Sequence, residues 1–274
     1  MKYEFVAGDE KTTAWGVKLK RIRALVAIAS LGIASGDLGG YIESEKNLSQ
    51  VSGNAWVFGD AQVYGDAQVH GDARVYGNAQ VSGNAQVHGD ARVYGNAWVY
   101  GDAWVYGDAQ VSGDARVSGD AQASGDARVS GNAQVSGNAQ VFGDARVFGD
   151  AQVSGDAWVY GNAWVYGDAW VSGNAQVYGD AQASGDARVH GNARVSGNRL
   201  IFWASKVGRD NGTLTVFNSK DNTLTVTRGC FIGSIDEFLT KSEIEHDDQT
   251  HIEYRMLIEV AHSRITRAQT KEGN

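Results

Sequence analysis

The sequence has no proline, a single cysteine and no long hydrophobic run, and each of these absences excludes a class of protein. Collagen and Pro/Gly-rich disordered chains carry proline beside their glycine, so the 36 glycines here must serve another purpose. The lone Cys230 can form neither an intramolecular disulfide nor a cysteine-based metal site, which is typical of a reducing compartment. Without about 18 consecutive apolar residues or a charged-then-apolar N-terminus, the chain is expected to be cytoplasmic and not to enter a membrane.

Most of the glycines belong to an internal repeat. Residues 51–200 are 25 uninterrupted hexads of the pattern V-x-G-[D/N]-A-x. The first position is Val in 23 hexads and Ala in two, the third is always Gly, and the fifth is Ala except at Arg199. Only the second and sixth positions vary freely. A repeat of this regularity outweighs every other signal for the fold.

Each hexad predicts a three-residue strand followed by a three-residue corner. A period of six does not fit a helical face, whereas Ala-x-Val places two apolar side chains on one side of a strand and points the residue between them outward. Gly takes a positive φ without penalty and Asp or Asn tolerates a tight turn, so this pair supplies the corner. Proline is absent because stacked strands need their backbone N–H groups for the hydrogen-bond ladder.

The hexad resembles the hexapeptide repeat of left-handed parallel β-helices, in which an aliphatic residue follows a small residue by two positions. The resemblance implies a triangular β-helix with coils of about 18 residues, about 8 in all, and the left-handed sense comes from the resemblance alone. The predicted fold is therefore mainly β. An N-terminal β cap with an entry coil covers residues 1–50, the β-helix covers 51–200, and a C-terminal ββαα module covers 201–274.

The flanking segments contain ordinary strand and helix signals. In residues 1–50, the alternating basic run Lys18, Lys20, Arg21 and Arg23 predicts one face of an edge strand. In residues 201–274, segments 213–217 and 223–227 predict a hairpin. Ser234 with Glu237 predicts a capping box that opens a helix to about residue 245.

A second C-terminal helix is expected over about residues 250–265. Its periodicity places Ile252, Met256 and Val260 on one face.

The variable positions carry the candidate binding residues. Aromatic residues cluster in two zones, and exposed aromatics mark interaction surfaces more often than scattered apolar residues do. The alternative is that they only stabilise the coil edges. An outward column also contains arginines that follow an Asp by two residues, a pattern that equally fits charge compensation on a solvated face. The candidates are Tyr94, Trp98, Tyr100, Trp104, Tyr106, Trp158, Tyr160, Trp164, Tyr166, Trp170, Arg74, Arg92, Arg128 and Arg146.

A longer resemblance covers nearly the whole chain. The run 36–42 (GDLGGYI) before the repeat and Gly-Cys-Phe-x-Gly at 229–233 after it are similar to the hexapeptide-repeat proteins of enterobacterial prophages and the related YdcK-type acyltransferases. The resemblance implies a phage or prophage setting, and the acyltransferase label follows from the repeat alone.

An acyltransferase is one alternative for the function. Enzymes of this fold are usually trimers with a histidine near a subunit junction and a loop that interrupts the coils, but these 25 hexads carry no insertion. His70 and His88, which are 18 residues apart at one corner, are the weak catalytic candidates. No cofactor and no metal site are predicted.

An acidic DNA mimic is a second alternative. The net charge is +1 in residues 1–50, −7 in 51–200 and −2 in 201–274. Duplex DNA carries about 24 charges over a repeat length of about 40 Å, so this repeat falls well short of it. The acidic balance also argues against binding nucleic acid.

The sequence favours a non-enzymatic scaffold. We expect a rigid β-helix that binds a protein partner or assembles with itself, a trimer being the first expectation, with a small-molecule ligand allowed at a subunit junction. If the protein is phage-encoded, a host factor is the expected target, which makes the chain a defence inhibitor or a ligand sponge.

Overall fold

The computed structural model describes residues 1–51 and 53–272. The described residues form two compact units, the first ending at Gly143 and the second beginning at Asp144. Both units contain part of the repeat, wound as a parallel β-solenoid, so the predicted fold is confirmed.

In the first unit each hexad contributes a strand of two residues, the variable sixth residue and the apolar residue after it. The predicted strands are one residue too long, because the Ala N–H turns back to its own corner, as from Ala85 to the Ser82 carbonyl at 3.4 Å. The strands are β4 (Trp56–Val57), β5 (Gln62–Val63), β6 (Gln68–Val69), β7 (Arg74–Val75), β8 (Gln80–Val81), β9 (Gln86–Val87), β10 (Arg92–Val93), β11 (Trp98–Val99), β12 (Trp104–Val105), β13 (Gln110–Val111), β14 (Arg116–Val117), β15 (Gln122–Ala123), β16 (Arg128–Val129), β17 (Gln134–Val135) and β18 (Gln140–Val141).

Three parallel sheets form this part of the solenoid. One contains β5-β8-β11-β14-β17, the second β4-β7-β10-β13-β16 and the third β6-β9-β12-β15-β18. Arg92 pairs with Arg74 on one side and with Gln110 on the other, so residues 18 apart are neighbours. The fold thus sorts the variable residues into columns.

The N-terminal cap consists of β1 (Tyr3–Thr12), β2 (Lys18–Ala24) and β3 (Leu38–Ile42), with short 3-10 helices at Ala29–Leu31 and Glu45–Asn47. The three strands are antiparallel, and β3 then pairs in parallel with β5, which starts the solenoid. The buried Asn47 amide donates to the carbonyls of Gly65 and Ala67, at 3.0 and 2.9 Å. It thereby satisfies backbone groups at the open end of the first coil.

A buried lysine also closes this end. The Lys2 ammonium donates to the Ala55 carbonyl at 2.8 Å, and burial lowers the pKa of Lys2 to about 8.

The prediction that the basic run lies on an edge strand is wrong. β2 lies between β1 and β3, and the sheet edge is β1. The alternation is interrupted within β2, because Leu19, Ile22 and Ala24 are buried and the consecutive Lys20 and Arg21 between them are not. Arg21 and Arg23 form ion pairs with Asp9 and Glu4 of β1. An alternating basic run needs only a polar face, and a central strand of a small sheet has one as well.

The second unit continues the same strand design. Its sheets are β19-β22-β25, β20-β23-β26 and β21-β24-β27. The strands are β19 (Arg146–Val147), β20 (Gln152–Val153), β21 (Trp158–Val159), β22 (Trp164–Val165), β23 (Trp170–Val171), β24 (Gln176–Val177), β25 (Gln182–Ala183), β26 (Arg188–Val189) and β27 (Arg194–Val195).

The C-terminal module has four strands and two helices. They are β28 (Ile201–Val207), β29 (Gly212–Asn218), β30 (Leu224–Arg228), β31 (Phe231–Ser234), α1 (Ile235–Glu245) and α2 (Asp248–Glu272). The predicted hairpin is β29–β30, and the predicted capping box of Ser234 and Glu237 opens α1. The predicted ββαα order missed two strands, β28 and β31. β28 lacks strict alternation and β31 has only four residues, so neither gave a clear strand signal.

Helix α2 is longer than predicted and exposes the face that periodicity singled out. Ile252, Met256 and Val260 are 45–61% exposed, whereas Tyr254 and Ile258 are buried in the module. Two apolar stripes run along one helix, and periodicity alone cannot say which of them meets the sheet. Among the described residues, no helix is long and apolar enough to cross a membrane.

Candidate interaction surface

The aromatic candidates at the second hexad position form stacks at the corners. Tyr94 stacks on Tyr76 with ring centroids 4.9 Å apart and planes at 0°. In the second unit Tyr160 stacks on Tyr178 at 4.9 Å and Tyr166 on Phe148 at 5.0 Å. Such pairs contribute about 0.5–1.5 kcal/mol beyond area burial. These rings therefore stabilise the contact between successive coils.

The tryptophans at the sixth position stand on the outer faces of the sheets, and only Trp56 among them is buried, because Tyr3 of the cap packs on it. In the first unit Trp98 and Trp104 are 36% and 41% exposed, and Tyr100, at the turn that joins their strands, is 37% exposed. The three residues wrap one corner of the solenoid, and we call them the first aromatic surface. These rings are not part of the core, which is formed by the fully buried Val and Ala side chains on the inner side of the same strands.

The second unit carries a matching set. Trp158, Trp164 and Trp170 occupy consecutive hexads and therefore lie on three different sheets. Trp158 and Trp170 are each 39% exposed, and the Arg146 guanidinium lies over the Trp164 ring, 5.0 Å from its centroid. Trp158 and Trp170 are called the second aromatic surface.

The candidate arginines are outward but dispersed. Arg74 and Arg92 are direct neighbours on one face, while Gln110 separates Arg92 from Arg128. Among the residues that the structure describes, none of Arg74, Arg92 and Arg128 lies within ion-pair distance of a carboxylate. The Asp-Ala-Arg pattern therefore balances charge along the face without direct contacts.

A ladder at the fourth hexad position was not predicted. The Asn84 amide donates to the Asp102 carboxylate at 2.8 Å, and Asn96 donates to Asp114 at 3.0 Å, in each case one coil further on. An amide can donate and accept, whereas a carboxylate only accepts. The signal was present in the sequence as Asn followed by Asp 18 residues later.

The histidine candidates belong to a stack. His70 lies parallel to His88 at 5.0 Å, and His88 lies parallel to Tyr106 at 5.2 Å. Burial lowers the pKa of both histidines, and the charge on a protonated His70 lowers the pKa of His88 further. The two histidines therefore take part in the same stacking between successive coils as the tyrosines.

A third histidine lies in a different environment. Nδ1 of His190 forms a hydrogen bond with the Ser172 hydroxyl, and the ring meets Trp170 edge-on at 5.3 Å. His190 also borders a groove of about 470 Å³ between the last coils and the β30–β31 region, together with Lys220 and Thr225. In the described part of the chain no carboxylate is hydrogen-bonded to His190, so the third group of a triad is not provided.

Two further features bear on ligands. Within the described ranges, no cluster of three His, Cys, Asp or Glu side chains could hold a metal ion. A second cleft, of about 270 Å³, is lined by Arg199, Arg264, Arg267 and Ala268. Sequence reasoning missed it, although Arg199 was the one departure from Ala at the fifth hexad position.

Comparison with known proteins supports the repeat class. The family model described as the YdcK beta solenoid repeat matches nine segments within residues 49–173, namely 49–65, 67–83, 73–89, 91–107, 109–125, 121–137, 139–155, 151–167 and 157–173. Over these segments the chain is similar to the YdcK beta solenoid repeat. A comparison with curated proteins gave no match.

Proposed function

We propose that the protein is a non-enzymatic interaction scaffold that binds through its two aromatic surfaces. The main observation behind this proposal is that Trp98, Tyr100 and Trp104, which lie in consecutive hexads, are exposed. Elsewhere in the repeat the same positions hold Gln and Ser, which serve the solenoid equally well. Tryptophan and tyrosine are enriched at interfaces because they combine a large apolar area with a polar tip.

The partner is a protein, either a second copy of this chain or another molecule. The resemblance to prophage proteins supports a host factor as that other molecule. The absence of inserted loops in the 25 hexads supports a scaffold over an acyltransferase, because the repeat builds no lid over a reacting group.

The test exchanges aromatic residues for the types that the repeat itself uses. A triple variant, Trp98→Gln, Tyr100→Ser and Trp104→Gln, keeps every core, Gly and Asx position. The control is Tyr94→Ser, which removes a stacked ring and leaves the first aromatic surface intact. Light scattering over a range of concentrations and capture from bacterial lysate are measured for all three proteins.

We expect wild type and Tyr94→Ser to give the same oligomer mass and the same captured proteins, and the triple variant to lose one of them. If the triple variant keeps both the wild-type mass and the wild-type captured set, the first aromatic surface is not an interaction site.

A further inference from the structure

Three arginines converge on one cleft in the second unit. Arg199 follows the last corner of the repeat, and Arg264 and Arg267 lie one turn apart on α2. The Gln269 amide holds this end of α2 in place, because it donates to the Asn218 side chain at 2.7 Å and to the Asn222 carbonyl at 2.8 Å. The Asn218 N–H in turn donates to the carbonyl of Leu200, the neighbour of Arg199, at 3.0 Å.

No counter-charge is provided in the cleft. The remaining lining residue is Ala268, and in the described part of the chain none of the three guanidinium groups forms an ion pair with a carboxylate. Arg264 lies over the Phe202 ring, 6.0 Å from its centroid, which orients its guanidinium without neutralising it. Three like charges in one cleft repel one another, and a bound anion would relieve that repulsion.

The sequence carries an independent sign of the same site. The fifth hexad position is Ala in 24 of 25 hexads, and the exception is Arg199 in the last one. The dipole of α2 favours cations near its C-terminal end, which accounts for Arg267 but not for an arginine on the repeat.

We propose that this cleft binds the phosphate group of a small ligand. The planar guanidinium matches phosphate oxygens through two parallel N–H bonds, and several arginines are the usual means of holding a multiply charged anion. A volume of about 270 Å³ lies below that of pockets for drug-sized molecules, so the ligand is inorganic phosphate, pyrophosphate or a compact phosphate ester. The acidic repeat, with a net charge of −7 over residues 51–200, disfavours a long polyanion.

The experiment is calorimetric titration of the full chain at low salt with inorganic phosphate, pyrophosphate and, separately, a single-stranded oligonucleotide. The variants are Arg199→Ala, which restores the residue of the other hexads, and Arg267→Gln. The control is Arg209→Gln, which removes an exposed arginine of the same unit that pairs with Asp210 instead of lining the cleft. Thermal unfolding of each protein is recorded with and without pyrophosphate.

We expect phosphate or pyrophosphate to bind wild type and Arg209→Gln alike, and Arg199→Ala and Arg267→Gln to bind at least about tenfold more weakly. Pyrophosphate should raise the melting temperature of wild type and leave that of Arg199→Ala unchanged. If phosphate binds more tightly than pyrophosphate, the cleft recognises a single phosphate group. If pyrophosphate binds more tightly, the cleft recognises a diphosphate.

Three results would overturn the proposal: no binding of either anion to wild type at millimolar concentration, equal weakening by Arg209→Gln, or Arg199-dependent binding of the oligonucleotide alone. Because the cleft does not include the aromatic surfaces, a failure here leaves the interaction scaffold untouched.

Discussion

At the residue scale, the repeat glycines are the least replaceable positions. Of the repeat glycines in the described ranges, 24 have positive φ, between 57° and 73°. A Cβ built on Gly89 would lie 2.9 Å from the Gly107 backbone nitrogen of the next coil. Both the corner geometry and the stacking distance therefore depend on glycine.

Two glycines of similar φ should therefore differ in the cost of replacement by alanine. Gly89→Ala combines an unfavourable φ with a backbone clash and should lower the free energy of unfolding by about 3 kcal/mol or more. Gly16→Ala has a φ of +81° and open space around its Cβ, so only the strain of about 1 kcal/mol applies. Urea unfolding of both variants measures the difference, and equal losses would show that stacking distance is unimportant.

The stacked histidines predict a dependence of stability on pH. Burial lowers the pKa of His70 and His88 from 6.5 in the folded protein, so the unfolded chain binds more protons in acid. Their stabilisation is therefore complete above about pH 6.5 and is lost as the pH falls below it. The melting temperature at pH 5.5 should lie below that at pH 8, and the variant His70→Phe, His88→Tyr should reduce this gap by at least about 2 °C.

The matched control for this experiment is His262→Gln, which changes an exposed histidine of α2. It should leave the gap between the two pH values as in wild type. A double variant with the wild-type gap would mean that other groups, His190 among them, carry the acid sensitivity.

At the element scale, the Asn/Asp ladder links the corners of neighbouring coils by side-chain hydrogen bonds. Asn78 donates to Asn96 at 3.2 Å, and Asn96 donates to Asp114 at 3.0 Å, so one column is joined by hydrogen bonds. Asp72, Asp90 and Asp108 succeed one another on another column, where stacked carboxylates repel.

Giving each column one residue of the type found in the other should change the free energy of unfolding in opposite directions. Asp90→Asn supplies a donor between two carboxylates and should raise the free energy of unfolding by about 0.5 kcal/mol. Asn96→Asp removes a donor and should lower it by about 1 kcal/mol. Denaturant titration at low salt and in 1 M NaCl measures both. The effect of Asp90→Asn should shrink in high salt, and an unchanged or negative effect would contradict the ladder.

The elements also differ in how far the sequence predicts them. The hexads, the β29–β30 hairpin and the start of α1 carry local signals, namely fixed spacing, alternation and a capping box. These elements were predicted, with the hexad strands one residue too long. β28 and β31 have no such signal, because their pairing with β29 and β30 is set by tertiary packing. The position of β2 inside its sheet depends on pairing as well.

At the scale of the whole molecule, the fold and the candidate sites separate by hexad position. The first and fifth positions build the core, the third and fourth build the corners, and the second and sixth lie on the outside, where a few, such as Trp56 and Tyr64, are covered by neighbouring residues. The sequence therefore located the aromatic candidates, but it could not separate stacked rings from exposed ones, because that depends on which residues become neighbours between coils. The three-arginine cleft was beyond sequence reasoning, since α2 brings two of its members to the third only on folding.

If Trp98, Tyr100 and Trp104 serve interaction, the stability of the solenoid should depend little on them. The most direct measurement is the free energy of unfolding of the variant Trp98→Gln, Tyr100→Ser, Trp104→Gln beside wild type. The variant loses the contact of Arg116 with Trp98, 5.6 Å from the ring centroid, and the edge-on contact of Trp104 with His88 at 6.2 Å. Each contact is worth about 0.5–1 kcal/mol. We predict a total loss below about 2 kcal/mol, and a loss of about 4 kcal/mol or more would mean that these rings hold the solenoid together.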